Sequence, residues 1–305
     1  MDLLCCLDDN YIQHTSVMLT SFFINNPSIN HRVFIITQGI NNYNKTLLEN
    51  LVSKYDSSIS IYLVDENVLK DFPLKESDYV SLAAYLRLFC SKLLPNDIDK
   101  LLYLDGDVVV RKSLDNLWAL DVDGFAVAAI DETIKENCLR HQYDFSKGYF
   151  NSGIMIINLN YWRENNVSEK AIEYMNKYPQ RIKSWDQDAL NGILHNGLWK
   201  RIELKYNLTT LFLYKKFMTN DNFSKIYASE YKEAVQNPSI VHFTGPDKPW
   251  MCTVTDHPFK DEYFKYLNIL GIRNSEYRLD INTIIKKYLK KGMLKVGIKE
   301  SYYIR

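Results

Sequence analysis

The eleven residues Lys-Leu-Leu-Tyr-Leu-Asp-Gly-Asp-Val-Val-Val, from Lys100 to Val110, constrain this chain more than any other stretch. The apolar runs Leu101–Leu104 and Val108–Val110 have the composition of a buried strand, and two carboxylates interrupt it. In an extended chain residues i and i+2 share a side, so Asp105 and Asp107 are expected to converge on one ligand. Gly106 between them lets that ligand approach the backbone. Ionised carboxylates at the end of a core strand are costly unless a cation compensates them. The reading is a divalent metal first and an anionic substrate second, with a solvated pair in a turn as the plainer alternative. Asp-x-Asp recurs at Asp97/Asp99, Asp121/Asp123 and Asp186/Asp188, but only the 105/107 pair lies between two apolar runs.

The rest of the chain supplies a sheet for that strand. Leu3–Leu7, Arg32–Thr37 and Ser60–Val64 read as strands, alternating with helices over Thr15–Asn25 and Asn44–Tyr55. That alternation predicts a parallel α/β sheet with crossover connections, whose ligands bind at the carboxyl ends of the strands. Asp8-Asp9-Asn10 ends the first strand as Asp105-Gly106-Asp107 ends a later one, so both clusters are expected to face one crevice.

Ser81–Leu93 predicts a helix stopped by Pro95, with Arg87 among bulky neighbours either as a clamp for a carboxylate or phosphate or as half of a structural ion pair. Ala126–Ile130 and Gly153–Asn158 read as strands, the second introduced by Gly148-Tyr-Phe-Asn-Ser-Gly153, small and amide residues that suit either a polar ligand or a turn. Trp185-Asp-Gln-Asp188 opens a helix to about His195, in which Asp186 is a candidate N-cap; capping explains Gln187 and Asp188 less well. Ser239–Phe243 is a short strand holding His242, either a core imidazole or a metal ligand. The turn-rich Thr244–Trp250 loop after it carries Gly245 and Lys248, which suits phosphate capture.

Bulk properties narrow the class. The apolar content of 46% against 24% charged residues is that of a globular enzyme. Net charge is zero, yet residues 281–305 hold seven basic side chains against Glu300 alone, leaving an acidic body that argues against general nucleic-acid binding. In that tail Ile284, Ile285, Tyr288 and Leu289 alternate with lysine pairs, as in a helix lying on an anionic membrane or packed on the body. Five irregularly placed cysteines, with Cys5 and Cys6 on opposite faces of a strand, predict no disulfide framework and a cytoplasmic location. Neither a signal peptide nor a membrane span is expected, and the sequons at Asn44, Asn166, Asn207 and Asn222 read as incidental.

In order, Leu-Asp-Asp-Asn-Tyr11, Tyr85-Leu-Arg87, Leu-Tyr-Leu-Asp-Gly-Asp107, Tyr-Phe-Asn-Ser-Gly153 with Ile-Asn-Leu159, Trp-Asp-Gln-Asp188, and His242-Phe-Thr-Gly with Lys248-Pro-Trp250 resemble glycosyltransferase family 8. This is the family of bacterial galactosyl- and glucosyltransferases that includes glycogenin, and the resemblance spans about residues 1–260. It implies a GT-A fold, a Rossmann-like mixed α/β sheet flanked by helices, taken to span residues 1–265; the charge and apolar pattern of the tail adds a basic amphipathic extension over 266–305. It also implies a UDP-hexose donor, Mn²⁺ or Mg²⁺, retention of anomeric configuration, and a saccharide, glycolipid or glycoprotein acceptor.

Carried onto matching positions, the resemblance makes Asp105, Asp107 and His242 metal ligands, an O,O,N set compatible with Mn²⁺. It gives Asp8 and Asn10 to uracil and ribose, Gly245 and Lys248 to the diphosphate, and Arg87, Asn151, Asp186 and Gln187 to the donor sugar. Asp186, Gln187 and Asp188 are catalytic-site residues with no nucleophile assigned, Asp188 being a candidate. Gly106 and the pair Ala83-Ala84 ahead of Tyr85 are positions at which donor preference could be altered. Two rival readings stand beside this one: a haloacid-dehalogenase-type phosphatase, which also places Asp-x-Asp after an apolar strand, and a non-catalytic sugar-nucleotide or glycan-binding module.

Overall fold

The structure is a computed structural model that describes residues 1–27, 30–69, 72, 82–215, 226–245, 248–251 and 256–272, and, nearer the C-terminus, residues 285, 288, 289, 292, 293 and 303. Strand β1 (Asp2–Cys6) is flanked by β2 (Arg32–Thr37) and β4 (Lys100–Leu104), and β3 (Ser58–Leu63) lies beyond β2. These four are parallel, as the alternation of strands and helices predicts. On the other side of β4 the sheet becomes mixed: β7 (Ile154–Asn158) is antiparallel to β4, β6 (Val127–Ala129) is antiparallel to β7, and β8 (Trp199–Arg201) closes the edge parallel to β6.

The inner strands are apolar on both sides because helices cover both faces. Leu3, Cys5, Leu102 and Leu104 pack with helix α1 (Ile12–Asn25) and helix α2 (Asn42–Ser53) on one face. Leu4, Cys6, Leu101 and Tyr103 pack on the other with the 82–93 segment, helix α3 (Val167–Lys177) and helix α4 (Trp185–Leu194). Cys5 and Cys6 therefore face opposite layers, and the four cysteines among the described residues are free and buried.

The central stretch differs from its reading as one interrupted strand. Leu104 ends β4 in the seven-stranded sheet, whereas β5 (Val108–Val110) belongs to a separate sheet of three, paired antiparallel with β10 (Ile240–His242), which in turn pairs in parallel with β9 (Leu208–Thr209). Asp105-Gly106-Asp107 is the turn by which the chain passes from one sheet to the other. Gly106 is demanded by packing on α1: a Cβ there would lie 2.7 Å from Thr15 Oγ1 and 3.1 Å from Tyr11 Cδ1. The segment predicted as helix over Ser81–Leu93 is a 3₁₀ helix over Leu82–Phe89 followed by one α-turn, Cys90–Leu93; Ser81 itself lies outside the described residues.

Helix α5 (Lys260–Ile269) runs through the 265/266 boundary drawn from sequence. Tyr263, Tyr266 and Leu267 are buried with Val17 of α1, Val109 and Val241, so any extension starts beyond this helix. Most of the basic tail lies outside the described residues. Tyr303 packs against the body, stacked on Tyr214 at 5.2 Å and edge-on to His257. Among the described residues no helix is long and apolar enough to cross a membrane.

Two buried imidazoles make the fold acid-sensitive. Burial lowers His14, hydrogen-bonded to the Tyr263 hydroxyl at 2.7 Å and stacked on Trp250, to about 4. Burial likewise lowers His257 to about 4. A histidine with a depressed folded pKa contributes stability fully above its unfolded value near 6.5 and loses it as pH falls toward 4, by up to about 3 kcal/mol for each group. Urea unfolding at pH 7 and pH 4.5 is expected to show a loss of several kcal/mol; a flat profile over that window would mean these rings are not held neutral.

Candidate active site

The sheet topology brings four stretches to one edge. Because β1 and β4 are adjacent and parallel, with Leu4 opposite Tyr103, their carboxyl ends deliver Asp8–Asn10 and Asp105–Asp107 side by side. Antiparallel β7 begins opposite Leu104, and the Asp105 amide donates to the Gly153 carbonyl at 2.8 Å. In the small sheet His242 pairs with Val108, and the Phe243 amide donates to the Asp107 carbonyl at 3.0 Å, so the histidine stands beside the second aspartate.

The outcome is a cluster in which one ligand atom each from Asp105, Asp107 and His242 lie within 4.8 Å of one another. His242 Nε2 is 3.2 Å from Asp107 Oδ1 and 3.7 Å from Asp105 Oδ2. Asp107 Oδ1 is buried and has no hydrogen-bond partner among the described residues, an expensive state for a carboxylate oxygen unless a cation meets it. Two carboxylate oxygens and an imidazole nitrogen around an unsatisfied buried oxygen fit a divalent cation.

The other aspartate oxygens are already held. Asp105 Oδ1 accepts from the Tyr103 hydroxyl at 2.7 Å and from Arg87 Nη2 at 3.0 Å. Lys248 Nζ binds Asp107 Oδ2 and, at 2.6 Å, the Phe243 carbonyl. Burial works against ionisation of Asp107, but Lys248 and His242 outweigh it and hold the carboxyl well below the ordinary range.

Arg87 is a buried hub. Its guanidinium lies 4.2 Å from the Tyr103 ring centroid, donates to the Ser152 carbonyl at 2.5 Å, and faces Asp186 with Nε 3.1 Å from Oδ2. The Nε–H itself is donated to the Ala84 carbonyl, so the Asp186 contact is electrostatic, and Asp186 Oδ2 accepts no hydrogen bond among the described residues. Burial, opposed by Arg87 and assisted by Asp105, pushes the Asp186 carboxyl up to about 6.

A cleft of about 240 Å³ runs along this edge, lined by Asp8, Asn10, Ala83, Ala84, Arg87, Asp105, Asp107 and Lys248 among others. Both acidic clusters thus face one crevice. Asp8 accepts from the Asn10 amide at 2.9 Å and starts a short 3₁₀ turn, while Asp9 is spent on Asn41 and Asn44. Gly245, at φ +77°, turns the backbone between His242 and Lys248 in a conformation that favours glycine. Pro246 and Asp247 lie outside the described residues.

The Trp-Asp-Gln-Asp stretch divides its labour. Gln187 Oε1 accepts from the Ser152 amide at 3.0 Å and from Asn151 Nδ2 at 3.2 Å, tying the start of α4 to the strand entrance. Asp186 is not the N-cap, which is Ser184 with no side-chain capping bond; Asp188, inside the first turn, reaches back so that its Oδ2 accepts the Lys183 and Ser184 amides at 2.6 Å each. Its Oδ1 accepts from Arg140, His141 and Tyr149, each at 2.6 Å. Five donors leave this wholly buried carboxylate no lone pair for a substrate, so the geometry does not make Asp188 available as a nucleophile. Trp185, just ahead, sits at φ +48°, a costly conformation for an aromatic residue that the flanking contacts of Asp186 to Asp188 hold in place.

Two members of the network escape sequence reasoning. Glu132 accepts from Asn151 Nδ2 at 2.9 Å and Gln187 Nε2 at 3.0 Å, its carboxyl raised by burial. Asn207, noted only as a sequon, is buried against Asn151 and His242. Nothing but an acid and an amide beside apolar runs marked either one.

Fold and site together define a mixed-sheet α/β protein with an Asp-Asp-His cluster that could hold a metal ion beside a cleft at the strand ends. Residues 2–253 match the profile of Glycosyl transferase family 8, and the chain belongs to that family. It is 34% identical over 273 residues to General stress protein A of Bacillus subtilis (strain 168), covering 88% of this chain and 93% of that one. It is 29% identical over 280 residues to a lipopolysaccharide 1,2-glucosyltransferase of Escherichia coli, covering 89% and 79%. Among solved structures, the galactosyltransferase LgtC in complex with donor and acceptor sugar analogues superposes with a TM-score of 0.80 at 25% identity, over 91% of this chain and 99% of that one. The GT-A fold expected from the resemblance is the fold observed.

Proposed function

We propose that this glycosyltransferase moves galactose or glucose from its UDP-sugar to a saccharide, glycolipid or glycoprotein hydroxyl with retention, using Mn²⁺ or Mg²⁺ held by Asp105, Asp107 and His242. The observation that carries the reading is the convergence of those three side chains, from both sheets, next to an unsatisfied Asp107 oxygen and a cleft bordered by Lys248. Relatives and structural neighbours named for glucosyl and galactosyl transfer support a hexose.

When bound, the cation supplies a Lewis acid for the departing diphosphate. Lys248 adds a fixed positive charge at the same place; two of its three N–H groups are engaged among the described residues, and the third is assigned, with Gly245, to a diphosphate oxygen. Asp8 and Asn10, which also line the cleft, are assigned to the uridine. Asn151, Asp186 and Gln187 are assigned to the donor sugar, and Arg87 orients Asp105 and Asp186 beside it. With Asp188 saturated, Gln187 an amide and Asp186 buried against Arg87, front-side attack steered by the leaving group is the favoured route to retention.

We place the protein in the cytoplasm, with the basic tail in reversible contact with an anionic bilayer. Ile285, Tyr288, Leu289 and Met293, at helical spacing, are exposed.

Mn²⁺-dependent release of UDP from UDP-galactose or UDP-glucose is the expected activity, with initial rates on the two donors deciding between them. Asp105→Asn and Asp107→Asn are expected to lower it by about 100-fold or more. Undiminished turnover in EDTA, or in both variants, would overturn the metal assignment.

A further inference from the structure

Asn207 has no role in the mechanism above, yet both ends of its buried amide are engaged. Its Nδ2 donates to Asn151 Oδ1 at 2.9 Å, and its Oδ1 lies 3.0 Å from His242 Nδ1. Which end is oxygen follows from the backbone. The Gly153 N–H, which can only donate, lies 3.0 Å from Asn151 Oδ1, so that atom is an acceptor; the Asn151 Nδ2 correspondingly faces the Glu132 carboxylate. Asn207 must then present its NH₂ to Asn151 and its oxygen to His242, and His242 Nδ1 must carry a proton to meet it. The neutral ring is left with its lone pair on Nε2, the nitrogen that faces Asp105 and Asp107.

We propose that Asn207 is a positioning residue that fixes the His242 tautomer, through a relay running from the Gly153 N–H by way of Asn151, so that Nε2 is offered to the cation. The small sheet builds this arrangement directly: β9 starts at Leu208, and its Thr209 pairs with His242. A side chain that merely filled space between β9 and β10 would need neither polar end. The proposal rests on the metal-site reading, and the test separates the two.

Mn²⁺ is titrated calorimetrically into the full chain in the presence of UDP, for wild type, Asp105→Asn, Asn207→Leu and Asn207→Asp, with thermal unfolding of each. Loss of the outer hydrogen bond in Asn207→Leu is expected to weaken Mn²⁺ by 10- to 100-fold, roughly the range for such partners. Asn207→Asp keeps an acceptor for Nδ1 and is expected to stay within about threefold of wild type, whatever it loses in melting temperature. No Mn²⁺ binding by wild type would remove the metal site itself. Wild-type affinity in a folded Asn207→Leu, beside lost affinity in Asp105→Asn, would overturn the relay alone. If Asn207→Leu does not fold, a wild-type crystal structure with Mn²⁺ and UDP decides: Asn207 Oδ1 within about 3.2 Å of Nδ1 supports the relay, and Nδ1 turned to the metal ends it.

Discussion

Gly153→Ala is expected to abolish Mn²⁺-dependent UDP binding in a chain that still folds. A Cβ on residue 153 would stand 2.3 Å from His242 Cε1 and 2.5 Å from Asp105 Oδ2, distances that real methyl groups do not reach. Gly153 is not among the left-handed residues, so the effect is one of space and not of backbone strain. Neither neighbour can yield cheaply. His242 is fixed by its register against Val108 and by Asn207, and Asp105 by Tyr103 and Arg87. Accommodating the methyl group is expected to cost about 1–3 kcal/mol in stability. Displacing two ligands at once is expected to cost roughly 100-fold or more in metal affinity. Calorimetric titration of Mn²⁺ with UDP checks this, and an affinity within a few-fold of wild type would mean the ligands do not converge over this residue.

The second large effect is expected on stability. Asp188→Ala orphans five donors around one buried site, including two backbone amides and the Arg140 guanidinium, a loss in the range of about 3–5 kcal/mol. Burial pushes the Asp188 carboxyl up, but hydrogen bonds from His141 and Tyr149 and the charge of His141 outweigh it and hold the group at about 2. A carboxylate with a depressed folded pKa contributes stability fully above its unfolded value near 4 and loses it as pH falls toward 2, so the difference between wild type and variant is expected to shrink across that window. Denaturant unfolding at pH 7 and pH 3 measures both. A fully active variant of wild-type stability would show that this carboxylate does not anchor the start of α4.

What the residues disclosed, and what they concealed, follows from how local each signal was. The aspartates were legible because acids between apolar runs are rare. The argument that joined them, alternation along an extended strand, does not describe the turn they occupy. Leu101–Leu104 and Val108–Val110 have the same composition although they belong to different sheets, and no local property reveals that the chain changes sheets between them. The parallel half was readable from its strand–helix alternation, whereas the antiparallel insertion of β7 depends on pairing with β4, whose register partners precede it by 50 to 58 residues. Asp186 and Asp188 sit two apart on one helix, and only tertiary packing decides that one lies against Arg87 while the other is saturated with donors. Asn207 and Glu132 were hidden for a further reason: a single amide or acid beside an apolar run carries no periodicity, and their importance lies wholly in what they touch.

The passage of Asp105–Asp107 between the two sheets also bears on how the protein is made. A nascent chain that has emerged only as far as Asn237 owns both aspartates and every strand of the large sheet, yet Val108–Val110 lacks the central strand it pairs with, and His242 is not there to join the aspartates. Completing the centre means closing a very long loop, a step whose entropic cost is met only when Ile240–His242 inserts between its two neighbours. The Asp-Asp-His cluster is therefore completed late in synthesis, and a ribosome stalled before that point would carry a largely assembled body with an unfinished centre.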